Sequence, residues 1–101
     1  MGRVLSTEAA GHLGERVNVQ GWLHAIRGQG GIVFAILRDR AGLIQVVTED
    51  PQHIDLLQRL GVESVLSITG TVAQEPRAPA GIEVRAERIT PISPSEGELP
   101  L

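Results

Sequence analysis

The sequence predicts an all-β domain with one helix, a five-stranded Greek-key barrel. Three observations predict it. Five segments have strand-like patterns, one helical segment lies between the third and fourth of them, and glycine-rich turns separate neighbouring strands. The length of 101 residues fits a single domain, and a hydrophobic content of 42% is sufficient for a packed core.

The N-terminal part predicts a short helical turn followed by strand one. Residues 5–10 have the composition of a helical turn, with Ser6 or Thr7 as its N-cap. Residues 16–23 alternate between apolar and polar side chains, which is the period of a strand. Gly21 interrupts this segment and predicts a bend or bulge there.

Two further strands follow, each after a turn. Residues 27–31 are a glycine-rich turn, and residues 32–37 are a continuous apolar strand. Residues 38–42 form the next turn, and residues 43–48 form strand three. This spacing indicates a meander of three strands.

A helix and two more strands complete the pattern. Asp50 is placed as an N-cap, Pro51 as the first helical residue, and Gly61 as the end of the helix. Strands four and five are predicted at about 64–72 and 82–89. Three strands, a helix and two strands is the element order of the OB-fold barrel.

Composition and charge exclude several classes of protein. The chain has no cysteine, which excludes disulfides and thiolate metal sites, and we expect a cytoplasmic protein without a membrane segment. The net charge of −3 is unusual for a nucleic-acid-binding protein. All nine basic residues are arginine, which suits forked recognition of phosphates and base edges but also follows from a GC-rich genome.

No pattern of catalytic or metal-binding residues is present. His12, His24 and His53 are not spaced like metal ligands. The glycines at 28–31 lack the Lys-Ser/Thr pair of a nucleotide-binding loop. We therefore expect this chain alone to have no enzymatic activity and to bind no cofactor or metal.

Four residues are candidates for binding single-stranded nucleic acid, which OB barrels do through aromatic side chains and arginines. Phe34 is either a core side chain or a stacking platform, and Trp22 falls on the polar phase of its strand, which favours packing. Gln45 is either an outward polar residue or an amide that reads a base edge. Glu83 is either a solvated strand residue or part of the same site.

Longer motifs resemble the N-terminal domain of aspartyl-tRNA synthetases, of the archaeal type. That domain has the pattern G-W-V-x-x-x-R, then G-G-I-x-F, then L-R-D-R-x-G-x-x-Q, and the match covers about residues 3–93. The segments that carry the resemblance are 21–27, 30–34, 37–45, 67–72 and 81–84.

The resemblance implies a role for each matching residue. Phe34 corresponds to the aromatic side chain that stacks on the middle U of the anticodon, and Gln45 to the side chain that reads a base of that triplet. Glu83 corresponds to the acidic residue of strand five in the same recognition, and Arg27 to the basic residue near the anticodon phosphates and bases. The implied partner is tRNA(Asp), with the GUC anticodon.

Two positions indicate a subtype, and two depart from the pattern. The resemblance implies that His24 and Pro79 bear on the third anticodon base, at positions where strict members tend to have Trp and Lys. This is the relaxed pattern that also accepts tRNA(Asn), with its GUU anticodon. Arg27 is the single arginine of its turn where many bacterial members have several, and Gly28 replaces a common Asp.

The resemblance also implies a domain division. We expect residues 1–92 to form the OB-fold anticodon-binding domain and residues 93–101 to be a linker towards a class II catalytic domain that the sequence lacks. The parent enzyme would use ATP and Mg²⁺ and form a homodimer, whereas this chain alone would be mainly monomeric. Two alternatives remain: a general single-stranded nucleic-acid-binding OB domain, or an OB-fold scaffold that binds proteins.

Overall fold

The computed structural model is a closed barrel with the strand order β1-β2-β3-β5-β4. It describes residues 3–62 and 64–92, so the expected linker at 93–101 lies outside the described residues. Strands β3 and β5 are parallel and the other neighbouring pairs are antiparallel. The elements in chain order are a 3₁₀ turn at Ala9–His12, β1 at Arg16–Gln29, β2 at Ile32–Arg38, β3 at Leu43–Thr48, α1 at Pro51–Leu60, β4 at Val65–Gln74 and β5 at Ile82–Pro91. The predicted five-stranded OB-type barrel is confirmed.

The core fills the barrel with the alternate side chains of each strand. Successive strand residues point to opposite faces, so the apolar positions of one phase turn inwards and the other phase forms the outer surface. The largest almost fully buried side chains are Leu57 of α1 and the inward strand residues Leu23, Leu37, Ile44, Leu66 and Ile68. The outer phase of the strands is therefore available for a binding site.

Helix α1 begins and ends as its sequence predicts. The Asp50 carboxylate accepts a hydrogen bond from the Gln52 backbone N–H at 2.8 Å, and Pro51 is the first helical residue. The Gly61 backbone N–H donates to the Leu57 carbonyl at 3.2 Å and ends the helix. Leu57 is completely buried, and Ile54, Leu56 and Leu60 are partly buried against the core, so the apolar face of the helix packs on the barrel.

The first hairpin is tighter than predicted. Residues 27–29 pair with β2 as part of β1, so only Gly30 and Gly31 form the turn. Both have positive φ, 58° and 87°, which two-residue hairpin turns of this hand require and glycine adopts without strain. The interpretation of the whole 27–31 segment as a turn is wrong for its first three residues.

Strand β1 has an irregularity, but not at the predicted glycine. The register with β2 shifts between Leu23 and Ala25. At Gly21 the relevant feature is a close approach, because a Cβ atom there would lie 2.5 Å from the Arg38 carbonyl oxygen. The glycine therefore allows the β1 and β2 backbones to approach each other.

The N-terminal segment is held by a buried carboxylate. The sequence predicts a helical turn over residues 5–10 with Ser6 or Thr7 as its cap, but the turn is at Ala9–His12 with Glu8 at the cap position, so that cap prediction is wrong. Ser6 is buried, and both its hydroxyl and its backbone N–H donate to Asp39, each at 2.7 Å. A buried carboxylate needs such donors, which explains why the serine is used here.

Asp39 also accepts hydrogen bonds from its own turn. The backbone N–H groups of Ala41 and Gly42 donate to the same carboxylate at 2.9 and 3.0 Å. Burial acts to raise the pKa of Asp39, but the four hydrogen bonds outweigh it and lower the pKa below its usual value. We call Asp39, Ser6 and these two N–H groups the Asp39 clamp, which joins the N-terminal segment to the β2–β3 turn.

Candidate nucleic-acid interface

Two rows of outward side chains cross the barrel from β1 to β5. The first row, which we call the aromatic row, consists of residues paired across neighbouring strands: Arg27, Phe34, Val47 and Arg85. The second row, which we call the amide row, consists in the same way of Ala25, Ile36, Gln45 and Glu83. The period of two along each strand brings both rows to the same outer face. All four predicted anticodon-binding residues, Phe34, Gln45, Glu83 and Arg27, lie in these two rows.

Phe34 lies at the centre of this face. Its side chain is half-buried and does not belong to the buried core, so the interpretation of Phe34 as a core residue is wrong. The Arg27 guanidinium carbon lies 5.4 Å from the ring centroid, at cation–π distance. The ring is therefore held from the β1 side and borders grooves on the surface.

Gln45 and Glu83 form a hydrogen-bonded pair beside Phe34. The Gln45 Nε2 amide donates to Glu83 Oε1 at 3.1 Å, and the two residues are only 8% and 7% exposed. An ionised carboxylate can only accept, so Glu83 fixes which way the Gln45 amide is turned. Both residues lie on the outer phase of their strands, and yet both are almost fully buried. The interpretation of Glu83 as a solvated strand residue is therefore wrong.

The second oxygen of Glu83 is directed to an arginine. Arg85 Nε lies 3.6 Å from Glu83 Oε2, so the Glu83 carboxylate contacts both Gln45 on β3 and Arg85, two residues along β5. The Arg85 side chain is 67% exposed, and water weakens this ion pair. The guanidinium is consequently placed next to the site while it stays accessible.

Grooves lie on both sides of the Phe34 ring. The groove towards β5 has a volume of about 490 Å³, with Val47 and Arg85 among its lining residues. Three carboxylates also border it: Glu49, Glu75 and Glu83. The groove towards β1 has a volume of about 310 Å³ and includes Arg27, Gln45 and Arg77. The face therefore has an acidic side and a basic side, with the aromatic ring between them.

A second carboxylate–arginine pair stands in the β4–β5 loop. Arg77 donates to Glu75 through Nε and Nη2, both at 3.2 Å. These hydrogen bonds to Arg77 lower the pKa of Glu75, and the same pair raises the pKa of Arg77. Both groups are therefore charged at neutral pH, and Arg77 presents a positive charge beside Gln45 and Phe34.

The two subtype residues lie at the margin of this face. His24 is exposed at the irregularity of β1, and Pro79 is exposed in the β4–β5 loop. Among the described residues, the linings of the two grooves include Ala25, which follows His24, and Arg77, two residues before Pro79, but neither His24 nor Pro79 itself. Their part in selecting the third anticodon base stays a prediction.

Other parts of the described chain offer less chemistry. Trp22 is half-buried on the outer face and packs against Arg38, whose guanidinium carbon lies 5.1 Å from a ring centroid. His12 contacts Glu15 and His53 contacts Thr48. Residues 3–62 and 64–92 contain no group of three or more His, Cys, Asp or Glu side chains arranged to hold a metal ion. Within the same ranges, no helix is long and apolar enough to cross a membrane.

Residues 17–92 match the tRNA anticodon family, which is described as an OB-fold nucleic acid binding domain. The chain belongs to this family. The match begins one residue into β1 and continues to the end of the described region, so this OB-fold family includes every strand that builds the two rows.

Individual relatives give a narrower comparison. The chain is 51% identical over 92 residues to the aspartate–tRNA(Asp/Asn) ligase of Haloferax volcanii and 47% identical to that of Natronomonas pharaonis, with 87% of this chain covered in each case. These alignments span 21% of each relative, so the chain corresponds to about a fifth of the proteins it matches. The resemblance to the archaeal type of aspartyl-tRNA synthetase is confirmed.

A solved structure agrees in fold. The asparaginyl-tRNA synthetase of Pyrococcus horikoshii, in complex with asparaginyl-adenylate, superposes with a TM-score of 0.83 at 28% identity. The alignment covers 89% of this chain and 22% of that one. The same barrel therefore occurs within a much longer synthetase.

Sequence reasoning missed part of the face. Val47, Glu75, Arg77 and Arg85 border the grooves but were not among the candidates. Two of them could have been found by alternation, because Val47 lies two residues after Gln45 and Arg85 two residues after Glu83. Glu75 and Arg77 lie in a loop, where no periodicity indicates the direction of a side chain.

Proposed function

We propose that this chain is the anticodon-binding domain of an aspartate–tRNA ligase and that it binds the anticodon loop of tRNA(Asp), with the triplet GUC. The observation that carries the proposal is the half-buried Phe34 ring on the outer face, beside the hydrogen-bonded Gln45–Glu83 pair. An aromatic platform with an adjacent amide and carboxylate suits an unstacked base, whose ring stacks while its edge forms hydrogen bonds. The names of the relatives support the same substrate.

The proposed binding of the anticodon loop combines three physical interactions. Phe34 offers its ring to one base, and Gln45 offers an amide whose direction Glu83 fixes. Arg27 and Arg77 place positive charge on the β1 side, where phosphates are stabilised. The net charge of −3 is compatible with this role because three of the nine arginines, Arg27, Arg77 and Arg85, border the grooves of the site.

The relaxed subtype is part of the proposal. His24 and Pro79 provide no large side chain to restrict the third anticodon base, and the named relatives act on tRNA(Asp/Asn). We therefore propose that the domain accepts GUU, the anticodon of tRNA(Asn), as well as GUC.

The larger protein is proposed by the same analogy. A parent enzyme would join this domain to a class II catalytic domain that uses ATP and Mg²⁺, form a homodimer and act in the cytoplasm. The domain's own contribution would be to hold the anticodon end of the tRNA, far from the chemical step.

Binding to anticodon stem-loops tests the proposal. Fluorescence anisotropy would compare loops that carry GUC, GUU and GAC on one common stem, so that GAC differs from GUC only at the middle base. We expect similar affinity for GUC and GUU and weaker binding of GAC. Equal binding of all three loops would indicate a general single-stranded nucleic-acid-binding domain, and no binding at micromolar concentration would favour a protein-binding scaffold.

A further inference from the structure

We propose that the groove on the β5 side of Phe34 is a slot for one RNA base and that the Arg85 guanidinium forms its second wall. The inference rests on the proposed function and deepens it, because it states which side of the Phe34 ring receives the base and adds a residue to the site.

The strand register builds the slot. Phe34, Val47 and Arg85 are side by side on three neighbouring strands. Since neighbouring strands lie about 4.8 Å apart, the backbones at Phe34 and Arg85 are roughly 10 Å apart. The short Val47 side chain forms the floor between two longer side chains. A planar base in contact with both walls needs roughly 7–8 Å, two contact distances of 3.5–4.0 Å, which this spacing provides.

One side of Phe34 is already in use. The Arg27 guanidinium lies 5.4 Å from the ring centroid on the β1 side. The pairing with β3 places Val47, and beyond it Arg85, on the other side of Phe34. A base that stacked on the β1 side would have to displace Arg27, whereas a base on the β5 side would leave this contact intact.

The charges around the slot favour a base over a phosphate. Glu49, Glu75 and Glu83 border this groove and outnumber its one arginine, Arg85, so the groove disfavours a phosphate. Each carboxylate oxygen has two lone pairs, so Glu83 can accept a hydrogen bond from a base edge in addition to its contacts with Gln45 and Arg85. Arg85 lies near Glu83, and its exposed, planar guanidinium can stack on the base. The sugar–phosphate chain would then follow the side of Arg27 and Arg77.

A double-mutant cycle, which combines changes of the Arg85 side chain with removal of one RNA base, tests the slot. The variants are Arg85→Ala, which removes the wall, and Arg85→Lys, which keeps the charge but not the planar group. Arg88→Ala is the matched control, because it removes the same charge from an exposed position of the same strand that pairs with Thr69. Each protein is titrated with the GUC stem-loop and with the same loop made abasic at its middle position, after melting curves confirm folding.

The expected result is base-dependent. Arg85→Ala should weaken binding of the intact loop by about tenfold and of the abasic loop by less than about twofold. Arg85→Lys should lose most of the same affinity, while Arg88→Ala should affect both loops equally and slightly. If Arg85→Ala weakens binding of the intact and the abasic loop by the same factor, or if Arg85→Lys binds like the unchanged protein, Arg85 contributes only charge. Either result would contradict the proposed slot.

This outcome is separable from a failure of the proposed function. Triplet preference that depends on Phe34, without coupling between Arg85 and the base, would overturn the slot alone. Absence of triplet preference together with an ineffective Phe34→Ala change would overturn the proposed function and the slot with it.

Discussion

Replacement of Phe34 by alanine is expected to weaken binding of the GUC stem-loop by about 1–3 kcal/mol, the free energy of stacking one base on an aromatic ring. Phe34 is half-buried on the outer face and lies outside the buried core, so the free energy of unfolding should change much less than for a core phenylalanine. Parallel titrations and denaturant unfolding measure the two effects.

Two further variants separate stacking from packing. Phe34→Leu keeps apolar bulk but removes the ring, and it should lose most of the affinity that the alanine variant loses. Trp22→Leu is the matched control, because Trp22 is the other aromatic residue of the chain and packs on Arg38 instead. Full affinity in Phe34→Leu would show that the ring is not a stacking platform.

Replacement of Asp39 by alanine is expected to be the most destabilising of the changes considered. It removes the acceptor of four hydrogen bonds and leaves the buried Ser6 hydroxyl and N–H without their partner. Hydrogen bonds to a charged group contribute about 1.5–3 kcal/mol, and buried donors without a partner add to the cost. We expect the free energy of unfolding at pH 7 to fall by about 3 kcal/mol.

The stability that Asp39 contributes should depend on pH in a defined direction. Its pKa in the folded protein is lowered, so the unfolded chain takes up a proton at higher pH than the folded one. The contribution is therefore complete above the unfolded value of about 3.9 and is lost as pH falls through the folded pKa. The stability difference between Asp39→Ala and the unchanged protein should accordingly shrink below about pH 4.

An exposed aspartate provides the control for the clamp. Asp55 forms a surface ion pair with Arg59 at 2.9 Å, and both side chains are 67% exposed. Such pairs contribute about 0–1 kcal/mol, so Asp55→Ala should have little effect. Equal unfolding free energies for the two variants at pH 7 would contradict the role of the clamp. So would a stability difference between Asp39→Ala and the unchanged protein that increases as the pH is lowered.

Much of the fold could be predicted because it is encoded locally. Asp50, Pro51 and Gly61 mark the ends of the helix through their own backbone and side-chain preferences, and the structure has both ends there. The first hairpin was misjudged because pairing with β2 extended β1 through residues 27–29, although a glycine and two polar residues do not resemble a strand. Tertiary pairing overrode local preference at that point.

The site was less predictable because it depends on contacts between distant strands. Gln45 and Glu83 are 38 residues apart and meet only because β3 and β5 pair in parallel. No local pattern specifies that register, so the hydrogen bond between them and the slot beside Arg85 needed the structure. The resemblance found four residues of the face, but it could not state how they are arranged.

The central claim is that RNA binds across the outer face of β1, β2, β3 and β5. Backbone amide chemical shifts of the ¹⁵N-labelled chain, recorded while the GUC stem-loop is added, test this most directly. The account predicts that the largest changes lie at Phe34, Gln45, Glu83 and their row neighbours. The polar outer surface of β1 and β4, around Asn18 and Ser67, should change little. Largest changes around Asn18 and Ser67, with the two rows unaffected, would contradict the account.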